Sequence, residues 1–307
     1  MVKNTNKHII WVFVVSGVCA FLFFIIVNYL VNLLHPSHVA FLMILIVSSV
    51  LLAALITFAV SILTPIFSET MTTLRRMLRI ESLSHPLIMK LSSEAPGTYH
   101  HSLNVSTLAQ KVAKEIGADS LLVRTAAYYH DIGKLSNPLF YIENQSGVEI
   151  EKREDAQSIR KNAKIIIAHV KEGLKIAKEY KLPDEVINLI REHHGTTRAL
   201  YFYRIAKERG LKIKKTDFRY DGPVPQSKES AILMLADCTE ATLRAYDNLT
   251  PEIIHDVVKN AILERLSDNQ FKNSGLSESE FARIRVILGK ILLSIYHQRI
   301  EYKHDKG

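Results

Sequence analysis

Histidine and aspartate residues that could bind metal ions recur between positions 100 and 240 of the sequence. His130 and Asp131 are adjacent in the segment AYYHDIGKLSNP, and Lys134 follows three residues after Asp131. Imidazole and carboxylate ligands together favour Fe, Mn or Zn over Ca or Mg. The chain offers further candidates of the same two types, namely His101, His169, His193, His194 and Asp237.

Asp237 is the strongest single indication, because it interrupts the apolar segment AILMLADCTE. A carboxylate among apolar side chains costs several kcal/mol unless it is paired or bound to a metal. Each candidate alone has an ordinary structural interpretation, since a lone buried histidine is usually a hydrogen-bonded core residue and a lone helical aspartate usually faces solvent. The combination is what indicates a metal site.

Helices must position these candidates, because apolar residues recur at helical spacing through most of the second part of the chain. Gly117 ends the helix predicted for residues 102–117, Asp119 begins the next helix, and Gly195 ends the helix that carries His193 and His194. Neighbouring helical residues point about 100° apart, so a helix end at Gly195 lets both rings face one centre.

The sequence therefore predicts an all-α fold, without an alternating strand pattern or an internal repeat. The segment SESE at 277–280 has the serine and glutamate of a capping box. The segment FRYDGPVPQ at 218–226 is the clearest long loop.

Residues 1–67 are predicted to form a transmembrane hairpin. The segments Ile9–Leu34 and Val39–Phe67 contain no Asp, Glu, Lys or Arg, and each exceeds the roughly 20 residues that a helix needs to cross a bilayer. A cleavable signal peptide is an alternative, but its apolar region is usually only about 7 to 15 residues long. A buried hairpin of a soluble protein is a second alternative.

The cations around this hairpin predict its orientation. Lysines precede the first span and arginines follow the second, whereas the intervening loop has neither: Lys3, Lys7, Arg75, Arg76 and Arg79. Positive residues stay on the cytoplasmic side, so both termini should face the cytosol. We expect a connecting helix region at 68–97, with residues 68–90 continuing the second span, and a cytoplasmic domain at 98–307.

The charge pattern argues against a nucleic-acid polymer as the partner. All 31 acidic residues and 37 of the 39 lysines and arginines lie beyond residue 68, where the two signs are interleaved. Such interleaving is typical of a solvated helical surface. Cys19 and Cys238 are the only cysteines, which suits a reducing cytosol rather than a disulfide framework.

The order His, His-Asp, His, His-His, Asp resembles that of the HD superfamily of metal-dependent phosphohydrolases. The chain further resembles the catalytic domain of the seven-transmembrane HD proteins, the PgpH-like cyclic di-AMP phosphodiesterases, from about residue 66 to 302. The motifs that carry this likeness are EAPGTYHHS, YYHDIGK, IIIAHVKEG, EHHGTT, FRYDGPVPQSKE and HQRIEY. The chain departs from that family in having two predicted spans instead of seven, and in the segment at 146–164.

The resemblance implies a helical HD-type phosphohydrolase domain with two divalent transition-metal ions, Fe or Mn. Seven ligands are too many for one tetrahedral ion and suit a pair of ions. One ion would be held by His101, His130, Asp131 and Asp237. The other would be held by His169, His193 and His194, with Asp131 bridging the pair. His100 is not expected to be a ligand.

Phosphate contacts are predicted next to these ligands. Lys134 could hold a phosphate oxygen, or it could be only a cation at the end of a helix, where the helix dipole favours it. Gly195 and Thr196 could contribute backbone contacts to phosphate. The candidates for stacking on adenine are Tyr99, Phe140, Tyr141, Tyr201 and Tyr203, although aromatic residues at helical spacing are usually core residues.

These features predict a membrane-anchored phosphoric diester hydrolase that converts cyclic di-AMP to linear pApA. One alternative is an HD-type phosphohydrolase that acts on another nucleotide. A second alternative is a non-catalytic HD module that senses nucleotides, against which the complete set of ligands argues. The expected partners are a cyclic dinucleotide and the lipid bilayer, and a homodimer is kept open.

Overall fold

The computed structural model describes residues 18, 21–29, 36–145, 156–246 and 248–301. Two compact units divide the chain, one at Met1–Thr73 and one at Leu74–Gly307. Within the described residues the regular structure is helical, with a single isolated antiparallel bridge between Arg198 and Arg219. The prediction of an all-α fold is confirmed.

The described residues contain one helix that is long and apolar enough to cross a membrane. It occupies Val39–Pro65 within α1, which spans Pro36–Ile80. The first predicted span, residues 9–34, lies mostly outside the described residues. The described part of this span at 21–29 is helical. The structure thus supports membrane anchoring by an apolar helix, while the count of two spans stays a prediction.

The prediction of a single helix over residues 68–90 is wrong. Helix α1 ends at Ile80, a turn follows, and α2 spans Pro86–Glu94. Pro86 lacks the N–H that a continuing helix would need, and it suits the first helical position. The Nδ1 atom of His85 accepts a hydrogen bond from the Leu87 N–H at 3.3 Å, which caps the new helix.

The helix ends predicted at Gly117, Asp119 and 277–280 agree with the structure, whereas the helix predicted to carry His193 and His194 ends at Glu192. Asp119 Oδ1 accepts hydrogen bonds from two N–H groups of the following helix, at 3.0 and 2.9 Å. Gly117 and Gly195 have positive φ angles of 77° and 52°. Ser277 and Glu280 exchange the two hydrogen bonds of a capping box. The helix predicted for 102–117 begins earlier, at Pro96.

The second unit is a bundle of short and medium helices. They are α2 as above, α3 Pro96–Ile116, α4 Ser120–Tyr129, α5 Ala156–Glu179, α6 Asp184–Glu192, α7 Leu200–Glu208, α8 Lys228–Arg244, α9 Pro251–Ser267 and α10 Glu278–Glu301. Short 3-10 segments lie at Ile132–Ser136, Pro138–Phe140, Ile142–Asn144 and Lys215–Phe218.

The core of this unit lies where α3 and α8 pack together with α4, α6 and α10. Leu108 on α3, Ile190 on α6 and Leu235 on α8 are almost fully buried in one cluster. Each such side chain contributes about 1.5–3 kcal/mol relative to an exposed one. This packing fixes the facing sides of α3 and α8, from which the polar site described next is built.

Candidate metal centre

Seven histidine and aspartate side chains converge inside the second unit. The structure brings together all of the ligands predicted from the sequence. Their ligand atoms form two groups, within each of which all atoms lie within 4.8 Å of one another. One group is His101, His130 and Asp237, and the other is Asp131, His169, His193 and His194.

Helices and helix ends supply these side chains. His101 lies on α3, His169 on α5 and Asp237 on α8. His130 directly follows the last residue of α4, and the pair 193–194 directly follows α6. The ligand side chains therefore reach the centre from five different helices or helix ends.

Asp131 lies between the two groups. Its Oδ1 atom is 3.2 Å from His169 Nε2 and 3.9 Å from His193 Nε2. Its Oδ2 atom is 3.3 Å from His130 Nε2 and 3.6 Å from His101 Nε2. Each carboxylate oxygen thus faces a different group of histidines, which is the arrangement that a bridging ligand requires.

Asp237 makes the second connection across the site. Its Oδ1 atom lies 3.0 Å from His101 Nε2 and 3.7 Å from His130 Nε2. Its Oδ2 atom lies 3.6 Å from His194 Nδ1. The buried acid that the apolar context of α8 singled out is therefore surrounded by imidazoles.

Backbone carbonyl groups aim three of the imidazoles. The Nδ1 atoms of His130, His169 and His193 lie 2.8, 2.5 and 2.7 Å from the carbonyl oxygen of the residue three positions earlier. A carbonyl oxygen can only accept, so Nδ1 carries the proton in each ring. In the neutral, metal-binding form of each ring, the Nε2 lone pair is therefore left to face the centre.

Glu240 holds the fourth imidazole, and sequence reasoning missed it. The carboxylate of Glu240 is hydrogen-bonded to Nδ1 of His101, and its other oxygen accepts from Asn104 at 2.9 Å and from Arg244 at 2.8 Å. Burial raises the pKa of this carboxyl, but the hydrogen bond to His101 and the neighbouring donors outweigh burial and lower the pKa to about 2. The signal in the sequence was a second acid three residues after Asp237.

The donor atoms fit a site for divalent transition metals. His130 Nε2 and Asp131 Oδ1 are buried and make no hydrogen bond, although such atoms in proteins nearly always have a partner. The Nε2 atoms of His169 and His193 face each other at 3.3 Å. Burial, together with the neighbouring imidazoles, lowers the pKa of His193 to about 3 and keeps the ring neutral, as a ligand must be.

Lys134 lies at the edge of this cluster in contact with two carboxylates. Its Nζ atom is 2.8 Å from Asp131 Oδ2 and 2.7 Å from Glu143 Oε1, and it lies 5.1 Å from the ring centroid of Tyr141. Burial opposes the charged form of the lysine, but the two carboxylates raise its pKa above the usual value. Glu143 was another residue that the sequence did not single out. Its Oε1 atom also accepts from the Thr98 hydroxyl at 3.2 Å.

The structure places Gly195 and Thr196 against Gln270. The Thr196 N–H donates to Gln270 Oε1 at 2.9 Å, and a Cβ atom added at Gly195 would lie 2.4 Å from the same oxygen. A phosphate contact from this amide would require that hydrogen bond to break. The next two residues, Thr197 and Arg198, line a large cavity whose lining also includes several of the ligand residues.

That cavity has a volume of about 1180 Å³ and includes Asp131, His169 and Asp237 in its lining. Of the five aromatic residues predicted from the sequence, Phe140, Tyr141 and Tyr201 line it. The other two do not, since Tyr99 packs on the core and Tyr203 packs on Phe218. His100 is exposed beside Tyr99.

Further lining residues were not predicted. Tyr220 lies against His194 with ring centroids 4.2 Å apart and an interplanar angle of 30°. The remaining aromatic and basic lining residues are Phe202, Tyr246, Arg198, Arg204, Arg244 and Arg265. A cavity that combines aromatic rings and arginines above a metal cluster suits an anionic ligand that carries flat rings.

Comparison with known proteins gives consistent results. The family model described as HD domain matches residues 98–242. The chain is 41% identical over 227 residues to the cyclic-di-AMP phosphodiesterase PgpH of Bacillus subtilis, which covers 74% of this chain and 32% of that protein. The chain thus spans about a third of the length of the curated relatives it matches.

Two crystal structures of the HD domain of the Listeria monocytogenes phosphodiesterase PgpH are also similar. The first is 41% identical with a TM-score of 0.65, and the second, in complex with cyclic-di-AMP, is 40% identical with a TM-score of 0.66. Each comparison covers 70% of this chain and 100% of the solved chain.

Proposed function

The chain belongs to the PgpH-like HD-domain family, and from this premise we propose that it is a membrane-anchored phosphodiesterase that hydrolyses cyclic di-AMP to linear pApA. The observation that carries the proposal is the convergence of seven ligand side chains, five of which line a cavity large enough for a dinucleotide. The similarity to a solved HD domain in complex with cyclic-di-AMP supports the choice of nucleotide.

We propose that the centre holds two divalent transition-metal ions, iron or manganese. The first would be bound by His101, His130, Asp131 and Asp237. The second would be bound by His169, His193 and His194, with Asp131 shared. Two such ions, when bound, supply positive charge beside the phosphate and lower the pKa of water so that it can act as a nucleophile at neutral pH.

The residues of the chain then hold and orient the diester. In the proposed reaction the oxygen of water bonds to phosphorus and one P–O3′ ester bond breaks. The released 3′ oxygen takes up a proton that the water gives up, which leaves a linear dinucleotide with a 5′ phosphate and a 3′ hydroxyl. Lys134, whose ammonium is fixed by Glu143 at 2.7 Å, lies beside Asp131 and can reach a phosphate oxygen bound there. Gly195 and Thr196 are kept as secondary candidates for a phosphate contact.

We propose that the catalytic domain is cytoplasmic, since its substrate would be a cytosolic nucleotide. The proposed organisation is a two-span hairpin at 1–67, a connecting region at 68–97 and the HD domain at 98–307. The start of the family match at residue 98 supports the last boundary. A homodimer remains a hypothesis.

The proposal is tested with the full chain in detergent, supplied with Mn²⁺ or Fe²⁺ and a panel of cyclic dinucleotides and linear nucleotides. We expect cyclic di-AMP to be the preferred substrate and pApA the product. Faster hydrolysis of another nucleotide would favour a different HD-type phosphohydrolase. Binding of cyclic di-AMP by the metal-loaded chain without turnover would favour a nucleotide sensor.

A further inference from the structure

We propose that Glu240 is a positioning residue that fixes the tautomer of His101 and thereby determines how tightly the ion at His101, His130 and Asp237 is held. The inference rests on the proposed metal centre. Glu240 is not one of the predicted ligands. Both of its carboxylate oxygens already have hydrogen-bond partners among the side chains of this chain.

The carboxylate of Glu240 is divided between two tasks. One oxygen is bonded to Nδ1 of His101, whereas the other accepts from Asn104 at 2.9 Å and from Arg244 at 2.8 Å. The side chain of Glu240 is only 3% exposed, so water does not compete freely for these bonds. The two donors on the far oxygen therefore set the orientation of the carboxylate.

His101 differs from three other histidines of the centre in the hydrogen-bond partner of its Nδ1 atom. His130, His169 and His193 each have Nδ1 on a backbone carbonyl oxygen, whereas His101 has Nδ1 on a carboxylate. A carboxylate that accepts from Nδ1–H holds the proton on that nitrogen and leaves the Nε2 lone pair free for a metal. That Nε2 atom lies 3.0 Å from Asp237 Oδ1, inside the proposed ligand group.

The isosteric variant Glu240→Gln separates this role from simple packing. Arg244 has only N–H groups to offer, so it draws the amide oxygen of the glutamine toward itself. The amide NH₂ then faces His101 Nδ1, which must become an acceptor, and the ring proton moves to Nε2. An imidazole protonated at Nε2 cannot bind the ion through that atom. Glutamine should therefore weaken metal binding more than alanine, although glutamine fills the space better.

Metal affinity is the readout, measured on the full chain in detergent after removal of bound metal. The protein is titrated with Co²⁺ in competition with a chelator, and the bound ions are counted from visible absorption. We expect Glu240→Ala to lower the affinity for one of the two Co²⁺ ions about 10-fold and Glu240→Gln to lower it about 100-fold. These values are the two ends of the usual range for residues that orient a metal ligand. The matched control is Glu115→Gln, the same change at an exposed position of the same helix as His101, which should bind Co²⁺ as the native chain does.

A second variant keeps the test decisive if glutamine also lowers stability. In the double variant Glu240→Gln, Arg244→Met, only Asn104 remains beside the far end of the amide, and Asn104 can turn its own amide oxygen toward the glutamine NH₂. The glutamine oxygen can then face His101, so Co²⁺ affinity should recover at least tenfold relative to Glu240→Gln alone. Alanine weakening binding more than glutamine, or no recovery in the double variant, would overturn the role of Glu240. Failure of the native chain to bind Co²⁺ would overturn the metal centre itself, and the inference with it.

Discussion

The ammonium of Lys134 lies 2.8 Å from Oδ2 of Asp131. The same carboxylate faces histidines of both ligand groups, so a lysine is in direct contact with the residue proposed to bridge two ions. Glu143 is the second partner of the ammonium, at 2.7 Å. Lys134 also lines the cavity, and we propose that its ammonium receives a phosphate oxygen there.

Asp131→Ala should remove activity and lower the metal content at both positions. Each group of histidines loses the carboxylate oxygen that faces it, so neither ion keeps its full set of ligands. Elemental analysis of the purified full chain measures the loss. The control Asp256→Ala makes the same change at an exposed position of α9 and should leave both metal content and turnover unchanged. Two ions and normal turnover in Asp131→Ala would contradict the proposed centre.

Lys134→Ala should leave the metal content unchanged while turnover falls by about one to three orders of magnitude. The substitution removes a phosphate contact and no ligand, and each tenfold loss corresponds to about 1.4 kcal/mol of transition-state stabilisation. Steady-state kinetics on cyclic di-AMP, paired with elemental analysis, separate the two effects. Lys111→Ala, at an exposed site on α3, serves as the control. Full activity of Lys134→Ala would leave the lysine with a structural role only.

The proposed centre should contain two ions per chain. Seven ligands with one shared carboxylate are more than a single ion takes up, so protein purified without chelator should approach about two transition ions. Prolonged dialysis against a chelator should abolish turnover, and addition of Mn²⁺ or Fe²⁺ should restore it. A stoichiometry that stays at one ion with all seven ligands intact would argue against the binuclear scheme.

Both termini should lie in the cytosol, because cations flank the predicted hairpin and its loop has none. Fusions after Gly307 to a cytosolic and to a periplasmic reporter test this orientation. We expect activity from the cytosolic reporter only. Activity of the periplasmic fusion would place the HD domain on the other side of the membrane, away from a cytosolic nucleotide.

Local signals in the sequence were sufficient for many features of the fold. Asp119 caps α4 and Gly117 ends α3 because these effects depend on a few neighbouring residues and on φ alone. The ligand candidates were also recognisable by type, because a buried acid such as Asp237 in an apolar helix needs an explanation. The break of the long helix after Ile80 was missed, although Pro86 marked it.

Features that depend on packing between distant segments were not predictable. Glu240 contacts His101 from a position 139 residues away in the sequence, and nothing near either residue indicates that α3 and α8 bring them together. Glu143 lies only nine residues from Lys134, but its role depends on the short 3-10 segments that fold it back over the lysine. Sequence reasoning thus found the candidates for direct ligands and missed the residues that hold them in place.

The last prediction concerns Gly133, which lies two residues after Asp131 and packs against the backbone of α5. A Cβ atom added at this position would lie 1.8 Å from the carbonyl oxygen of His169 and 2.5 Å from the backbone nitrogen of Gly173. The 3-10 turn after Asp131 therefore touches the backbone of α5 directly, and only glycine permits this contact.

Gly133→Ala should push α5 away from the turn and separate Asp131 from His169, which now lie 3.2 Å apart across this contact. Overpacking of this kind costs about 1–3 kcal/mol of unfolding free energy, and here the displaced atoms are backbone and cannot rotate aside. We expect a lower unfolding temperature and a loss of bound metal in the same variant. Ser136→Ala, at an exposed position of the same turn, should change neither quantity. Native stability and native metal content in Gly133→Ala would show that the turn and α5 are not in the close contact on which the geometry of Asp131 depends.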